Sequence, residues 1–255
     1  MKRIVIKVGS GVLSENNEIA KERMMNLASL IARLQPLYEV ILVTSGAVSS
    51  GYTELKLDRK EHISKKVLAS LGQPILMSNY KRKFDTFNLS ISQILLTEED
   101  FDSRKRTAIF RDIIDSLLAN GVIPIVNEND ISTTPEQVFG DNDQLSAHVT
   151  YYTDADLLVI LSDIDGYYDQ NPHENPNATI LKEVHYISAE SLNASQSPNH
   201  SFATGGIVTK LMAAQFLLER GKKMFLCSGY DLTTIEDYLL RNIHNSGTLF
   251  STSTL

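Results

Sequence analysis

Residues 2–11 read KRIVIKVGSG, and this run indicates both the fold of the chain and a site on it. It has the form of a short apolar strand that ends in a glycine-bearing loop, with Lys7 near the end of the strand. Such a loop exposes backbone N–H groups that suit a phosphate. A second glycine-bearing run, TGGIVTK at 204–210, ends in Lys210 just before an apolar stretch. Two ammonium groups in such contexts predict a site that holds a polyphosphate from two sides.

Short runs rich in Val, Ile and Leu recur along the chain and predict strands buried on both faces of a sheet. These runs are Ile4–Val8, Val40–Thr44, Leu89–Leu96, Val122–Val126, Leu157–Leu161 and Met224–Cys227. Stretches with helical spacing separate them. Alternation of strand and helix over the whole length predicts an α/β fold, with a mostly parallel sheet covered by helices on both faces.

The helical stretches are clearest at Arg104–Asn120 and Leu211–Glu219. In the first of them the pattern predicts one apolar stripe, formed by Ile109, Ile113, Ile114, Leu117 and Leu118. Residues 233–236, TTIE, have the spacing of a capping box and predict a helix start.

Polar residues follow the predicted strands, at the edge where a parallel sheet binds its ligands. They lie at 9–11, 44–47, 127–130 and 162–163, and a further acidic and amide cluster, GDND, lies at 140–143. Each could be a plain turn, because Ser, Asn, Asp and Gly all favour turns. The cluster at 127–130 follows a very apolar strand, however, and so emerges from the core. Carboxylates for an ammonium group and amides for a carboxylate together suit a zwitterionic substrate.

Composition limits the classes of function. With 255 residues, 42% of them hydrophobic, the chain can form one large domain over 1–255. A net charge of −7 argues against nucleic-acid and anionic-membrane partners, and no apolar run is long enough to span a membrane. The single cysteine, Cys227, allows no internal disulfide, which predicts a cytoplasmic protein.

Several other kinds of site are not supported. Ser14 stands where a dinucleotide fingerprint needs its third glycine, and Val43 stands where a serine-hydrolase elbow needs a glycine. The Walker pattern is absent. His148 has no second histidine at zinc-ligand spacing, which favours a structural role. The charged stretch Glu54–Lys66 could be a substrate lid or a solvated helix, and we prefer the solvated helix.

The motifs together resemble the amino acid kinase family, in order and over essentially the whole chain. They are KVGS at 7–10, VTSGA at 43–47, NEND at 127–130, GDNDQLSA at 140–147 and TGGIVTK at 204–210. The resemblance implies a three-layer αβα sandwich of the carbamate kinase type and a phosphotransferase that uses ATP and Mg²⁺. The last three motifs resemble the members that phosphorylate the side-chain carboxylate of free glutamate, the first step of proline synthesis. Many of those carry a C-terminal PUA domain, and we expect a short form without it.

The resemblance also implies roles for individual residues. Lys7 and Lys210 would flank the transferring phosphoryl group, with Asp143 orienting both lysines. Glutamate would be held by Ser45, Asp130 and Asn142, with Asn127 in support. Mg²⁺ would bridge the terminal phosphates, and no residue is predicted as its direct ligand. ATP contacts are implied at Lys7, Gly9, Ser10, Gly11, Ser162, Asp163, Thr204, Gly205, Gly206, Ile207, Val208, Thr209 and Lys210.

The sequence leaves two alternatives open. The chain could be a family member that acts on acetylglutamate, aspartate or UMP, although Asp130 favours a free amine. It could also be a non-catalytic sensor on the same fold, against which both lysines and Asp143 argue. The resemblance further implies a homo-oligomer, either a dimer or a tetramer. It also implies feedback by proline at a site that overlaps the glutamate site, with a contribution from Ile131–Phe139.

Overall fold

The central element is an eight-stranded sheet. The computed structural model describes residues 1–15, 18–133, 142–172, 174–193 and 205–252. The sheet strands are β1 (Lys2–Val8), β4 (Tyr38–Val43), β5 (Ser90–Leu96), β6 (Val122–Glu128), β7 (Leu157–Ser162), β8 (Glu183–Val184), β9 (Lys223–Ser228) and β10 (Thr248–Phe250). Their order is β5-β6-β4-β1-β7-β9-β10-β8. A separate two-stranded sheet joins β2 (Ser14–Glu15) to β3 (Glu18–Ile19).

The eight-stranded sheet is mainly parallel, as predicted, because β9–β10 is the only antiparallel pair among its described strands. All the predicted strands are present, but β5 lies at the sheet edge and buries only Leu96, so the expectation that it is buried on both faces was wrong. Strands β8 and β10 of this sheet were missed. Strands β4, β5 and β6 lie on one side of β1, and the remaining strands lie on the other. Chain connections therefore diverge at the carboxyl end of β1, which is where sheets of this kind open a ligand crevice.

Helices cover both faces of the sheet and give the predicted three layers. They are α1 (Ser10–Leu13), α2 (Lys21–Leu34), α3 (Ala47–Glu54), α4 (His62–Asp85), α5 (Arg104–Ala119), α6 (Asn142–Tyr152), α7 (Ala189–Asn193), α8 (Gly205–Leu218) and α9 (Thr233–Glu236). A 3₁₀ turn at Glu98–Phe101 and a π-helical turn at Asp237–Arg241 complete the described elements. No helix in these described ranges is long and apolar enough to cross a membrane.

Alternation along β1 sends its side chains into two separate cores. Ile4, Ile6 and Val8 join the cluster that contains the apolar face of α2, whereas Val5 joins the cluster that contains α6 and α8. Because successive strand residues point to opposite faces, Lys7 shares the face of Val5. The strand therefore directs an ammonium group toward α6 and α8.

Some helix predictions need correction. On α5, Phe110 and Ile114 are buried, but Ile109 is 50% exposed and Ile113 is 47% exposed, so the predicted stripe is wider than the buried face. The predicted capping box at 233–236 is wrong, because Leu232 occupies the N-cap position and makes no side-chain cap. Asp231 instead accepts hydrogen bonds from the backbone and the hydroxyl of Thr233.

The structure also shows what surrounds His148 and how the Glu54–Lys66 stretch folds. The His148 ring lies 4.3 Å from the Phe216 ring in a group of aromatic side chains, and burial lowers its pKa. The Glu54–Lys66 stretch is not one helix, because α3 ends at Glu54 and α4 begins at His62.

Helices α3 and α4 approach each other closely because each has a glycine at the crossing. A Cβ on Gly72 would lie 1.8 Å from the backbone oxygen of Ala47, and one on Gly51 would lie 1.9 Å from that of Leu68. Neither neighbour is a flexible side chain that could move away. The crossing fixes the start of α3, and with it the 44–47 loop, against the first turns of α4.

We expect Gly72→Ala to destabilise the protein by about 3 kcal/mol or more, since overpacking against backbone forces the two helices apart. Thermal or urea unfolding measures the change. Gly206→Ala is the matched control, because Gly206 also lies in a helix and a Cβ added there would meet no neighbouring group within 4 Å. A Gly72→Ala protein as stable as the Gly206→Ala protein would contradict the tight crossing.

Candidate active site

The site is centred on one buried carboxylate that contacts two lysines. Asp143 has no exposed surface, and its Oδ1 lies 2.6 Å from Lys7 Nζ. Its Oδ2 lies 3.1 Å from Lys210 Nζ and accepts a hydrogen bond of 3.0 Å from the Thr209 hydroxyl. Lys7 is 2% exposed and Lys210 is 6% exposed. Side chains from β1, α6 and α8 thus form a buried group with one negative and two positive charges.

This arrangement keeps Asp143 ionised. Burial by itself raises the pKa of a carboxyl group, but the ammonium groups of Lys7 and Lys210 hold the pKa of Asp143 below its ordinary value. Counted by themselves, these three side chains carry one negative and two positive charges. Positive charges fixed before the ligand arrives are what phosphoryl transfer requires.

Lys210 reaches the site from a position that the sequence did not indicate. We expected it at the start of a helix, but α8 begins at Gly205, so Lys210 lies in the second turn. Its ammonium group also donates to the backbone oxygen of Gly206 at 2.9 Å. This bond directs the side chain back along the helix toward Asp143.

The glycine loop after β1 offers fewer free donors than predicted. The Gly9 N–H group donates to the Leu161 oxygen at 3.0 Å and so continues the sheet. Ser10 and Gly11 open α1, where the first backbone N–H groups have no partner within a helix. These two amides are therefore the ones placed to meet a phosphate, and the expected contact from the Gly9 amide needs correction.

The other predicted nucleotide residues are brought to the same edge. Ser162 ends β7 and donates its hydroxyl to Asp163 at 2.9 Å, and Asp163 lies beside Gly11. Ile207 and Val208 instead bury their side chains in the core beneath α8, which leaves only their backbone for a ligand. Thr204 lies outside the described residues.

A chain of amide groups lines the neighbouring pocket. Asn142 Nδ2 contacts the Thr44 oxygen at 2.6 Å, Ser45 Oγ at 3.0 Å and Asn127 Oδ1 at 2.9 Å. Asn127 in turn donates to Gln73 of α4 at 2.9 Å. An amide nitrogen has only two hydrogens, so these three contacts use the full donor capacity of Asn142. The network fixes Ser45 and Asn142 beside the lysine and Asp143 group.

Asp130 faces the pocket from the segment that follows β6. Burial raises the pKa of this carboxyl, while Lys65 and Lys66 act in the opposite direction. Lys66 fixes the same segment, since its ammonium group donates to the backbone oxygens of Ile131 at 2.9 Å and Thr133 at 2.5 Å. A partly desolvated carboxylate of this kind favours a cationic ligand.

The pocket that these residues share has a volume of about 240 Å³. Ser10 and Asn142 line it near the two lysines, and Lys65 and Asp130 line it elsewhere. Ser45, Asn127, Asn142 and Asp130 are thus brought together, as the sequence predicted. Gln73 and Lys65 were missed. For Lys65 the only signal was the charged stretch Glu54–Lys66, which we interpreted as a solvated helix, and no feature of the sequence indicated Gln73.

Comparisons with known proteins agree with this fold. Residues 2–228 match the amino acid kinase family. The glutamate 5-kinase of Wolinella succinogenes is 53% identical over 255 residues, which cover 98% of each chain.

Two solved structures share the fold. An isopentenyl phosphate kinase superposes with a TM-score of 0.67 at 17% identity, covering 98% of this chain and 100% of its own. The carbamate kinase of Giardia lamblia superposes with a TM-score of 0.65 at 16% identity, covering 98% of each chain. The matched sequence and the shared three-layer fold lead to one conclusion: this chain belongs to the amino acid kinase family.

Proposed function

We propose that this chain transfers the γ-phosphoryl group of ATP to the side-chain carboxylate of L-glutamate, the first step of proline synthesis. The observation that carries the proposal is the buried Lys7–Asp143–Lys210 group beside a pocket with a desolvated carboxylate. The close relative that is a glutamate 5-kinase supports the choice of substrate. Glutamate-dependent release of ADP, measured in a coupled assay, tests it directly.

The chemistry needs no general base. The glutamate side-chain carboxylate is ionised at neutral pH, and one of its oxygens attacks the γ-phosphorus. A carboxylate O–P bond forms as the bond between the γ-phosphorus and the bridging oxygen breaks, and ADP leaves with that electron pair. Lys7 and Lys210 stabilise the negative charge on the transferring group, and Asp143 holds both in place. Catalysis then rests on positioning and electrostatics.

Mg²⁺ would enter this site with ATP. Both oxygens of Asp143 face ammonium groups, so the phosphates of ATP, and not this carboxylate, would supply the metal's ligands. Bound there, the ion would neutralise part of the phosphate charge.

We also propose that residues 1–255 act as one kinase domain, since the sheet uses strands from β1 to β10. Self-association is part of the proposal. It is supported by a mainly apolar groove of about 450 Å³ that lies between the sheet-edge strand β5 and α5 and includes Ile109 and Ile113. An exposed apolar face beside an unpaired strand edge suits a second copy of the chain.

We expect Lys7→Met and Lys210→Met each to lower kcat by about 10²–10³, because each removes one fixed charge at the phosphoryl group. Steady-state ADP release measures the loss, and circular dichroism checks the fold. Lys2→Met is the matched control, since Lys2 is an exposed residue of the same strand. Near-normal turnover in both site variants would exclude the two-lysine mechanism.

We expect Asp130→Asn to raise the glutamate KM steeply while the ATP KM stays unchanged. Asp130 is half-buried and burial raises its pKa, so it should favour glutamate well over N-acetylglutamate, which has no ammonium group to pair with it. Aspartate should also be poor, because it is one methylene too short to reach the phosphoryl group. Values of kcat/KM for the three acids decide the point. If acetylglutamate equals glutamate, the substrate assignment fails.

The same carboxylate predicts a pH dependence. Burial raises the pKa of Asp130, so lowering the pH toward that pKa protonates it and removes the partner of the substrate ammonium. The glutamate KM should therefore rise on acidification in the wild type and change less in Asp130→Asn.

We expect free proline to inhibit competitively with glutamate, since it presents the same α-carboxylate and an ammonium group to Ser45, Asp130 and Asn142. Initial rates over a grid of both amino acids measure this. Inhibition that saturating glutamate cannot relieve would indicate a separate site. Much of the segment Ile131–Phe139, which we expected to contribute, lies outside the described residues.

A further inference from the structure

A substrate α-carboxylate in this pocket needs a partner, and the side-chain amide groups of the pocket are mostly engaged. Asn142 has no donor hydrogen left, because its nitrogen already contacts Thr44, Ser45 and Asn127. The Asn127 nitrogen donates one hydrogen to Gln73. Ser45 Oγ accepts from Asn142 and retains its own hydroxyl hydrogen. Besides that hydroxyl, the pocket offers the first backbone N–H groups of α3, and these carry no formal charge. A full negative charge is better complemented by a cation.

Lys65 is the one cation among the described residues that line this pocket. Its side chain is exposed, and no hydrogen bond or ion pair joins that side chain to another residue in the described part of the chain. The other nearby lysines are engaged: Lys7 contacts Asp143, and Lys66 donates to Ile131 and Thr133. Lys65 therefore has an ammonium group available for a ligand.

The position of Lys65 is fixed relative to Asp130. The first turn of α4 is capped by Glu61, which accepts from the backbone of Ile63 and Ser64. Lys66, the next residue, holds the segment after Asp130 through the two backbone oxygens. Lys65 and Asp130 both line the pocket, and Lys65 opposes the rise that burial causes in the pKa of Asp130, yet no ion pair joins them in the described part of the chain. A cation and an anion held near each other but unpaired complement an α-amino-acid zwitterion.

We propose that Lys65 binds the α-carboxylate of the amino-acid substrate, opposite Asp130, which binds its ammonium group. The inference rests on the function proposed above and adds a specificity-determining residue to it. The side-chain carboxylate must meet the phosphoryl group near Ser10 and Asn142, so the substrate α-carbon lies toward Lys65 and Asp130. The site thus distinguishes an α-amino acid from an amine or a dicarboxylate of the same length.

The test compares glutamate with its α-amide, in which a neutral carboxamide replaces the α-carboxylate. We expect Lys65→Met to lower kcat/KM for glutamate by about tenfold or more, mainly through KM, because one charge–charge contact is lost. The α-amide should change by less than about twofold, since it has no such contact to lose. Where its turnover is slow, its competitive inhibition constant replaces kcat/KM. The ATP KM should not change.

Two further variants complete the experiment. Lys65→Arg should restore most of the preference for glutamate over the amide, because it keeps the positive charge. Lys60→Met, which alters an exposed lysine outside the pocket, should leave both substrates unaffected.

Equal losses on both substrates, or no loss on glutamate, would overturn the role of Lys65 while leaving the kinase assignment intact. If the wild type releases no ADP with glutamate, the proposed function itself fails and this inference fails with it.

Discussion

The contact of Asp143 with two lysines is the constraint on which the rest of the structure depends. A carboxylate with no exposed surface is tolerated only because Lys7 and Lys210 neutralise it. Those lysines come from the central strand and from α8, so the sheet and two helices must all be in place before the group exists. The group lies at the edge of the sheet where we propose that ATP binds.

The pocket lined by Ser45 and Asp130 depends on the close packing of two helix backbones more than on charge. Gly51 and Gly72 let α3 and α4 touch, and this contact sets Ser45 at one side of the pocket and the start of α4 at the other. Gly46 makes the turn between Ser45 and α3. Its φ of 106° is one that other residues adopt only with strain. The two adjoining parts of the proposed site are therefore built differently: buried charges form the proposed phosphate site, and close helix packing shapes the proposed amino-acid pocket.

Much of this could be predicted from the sequence, for identifiable reasons. Strands such as β7 are continuous apolar runs because both faces are buried, and such runs stand out. Strands β8 and β10 are too short to carry a pattern. Periodicity on α5 could not separate the core residue Ile114 from the exposed Ile113, since both are apolar.

Some residues of the candidate site were predicted from the sequence and others were missed. Its two lysines were indicated by the glycine-bearing runs around them. The role of Asp143 came only from resemblance to a family, because spacing along the chain says nothing of contacts between distant residues. Lys65 and Gln73 were missed because they lie on the surface of a helix and resemble ordinary solvated residues. The burial that raises the pKa of Asp130 also becomes visible only in the folded chain.

The distance along the chain between Lys7 and Lys210 has a consequence for synthesis on the ribosome. Once β7 has emerged, a nascent chain holds Lys7 and Asp143 and can pair them as a neutral couple. The second ammonium group arrives only with α8, well over half of the chain later than the first. A partly made chain would therefore lack one of the two ammonium groups of the proposed phosphate site until α8 has been made and packs beside α6.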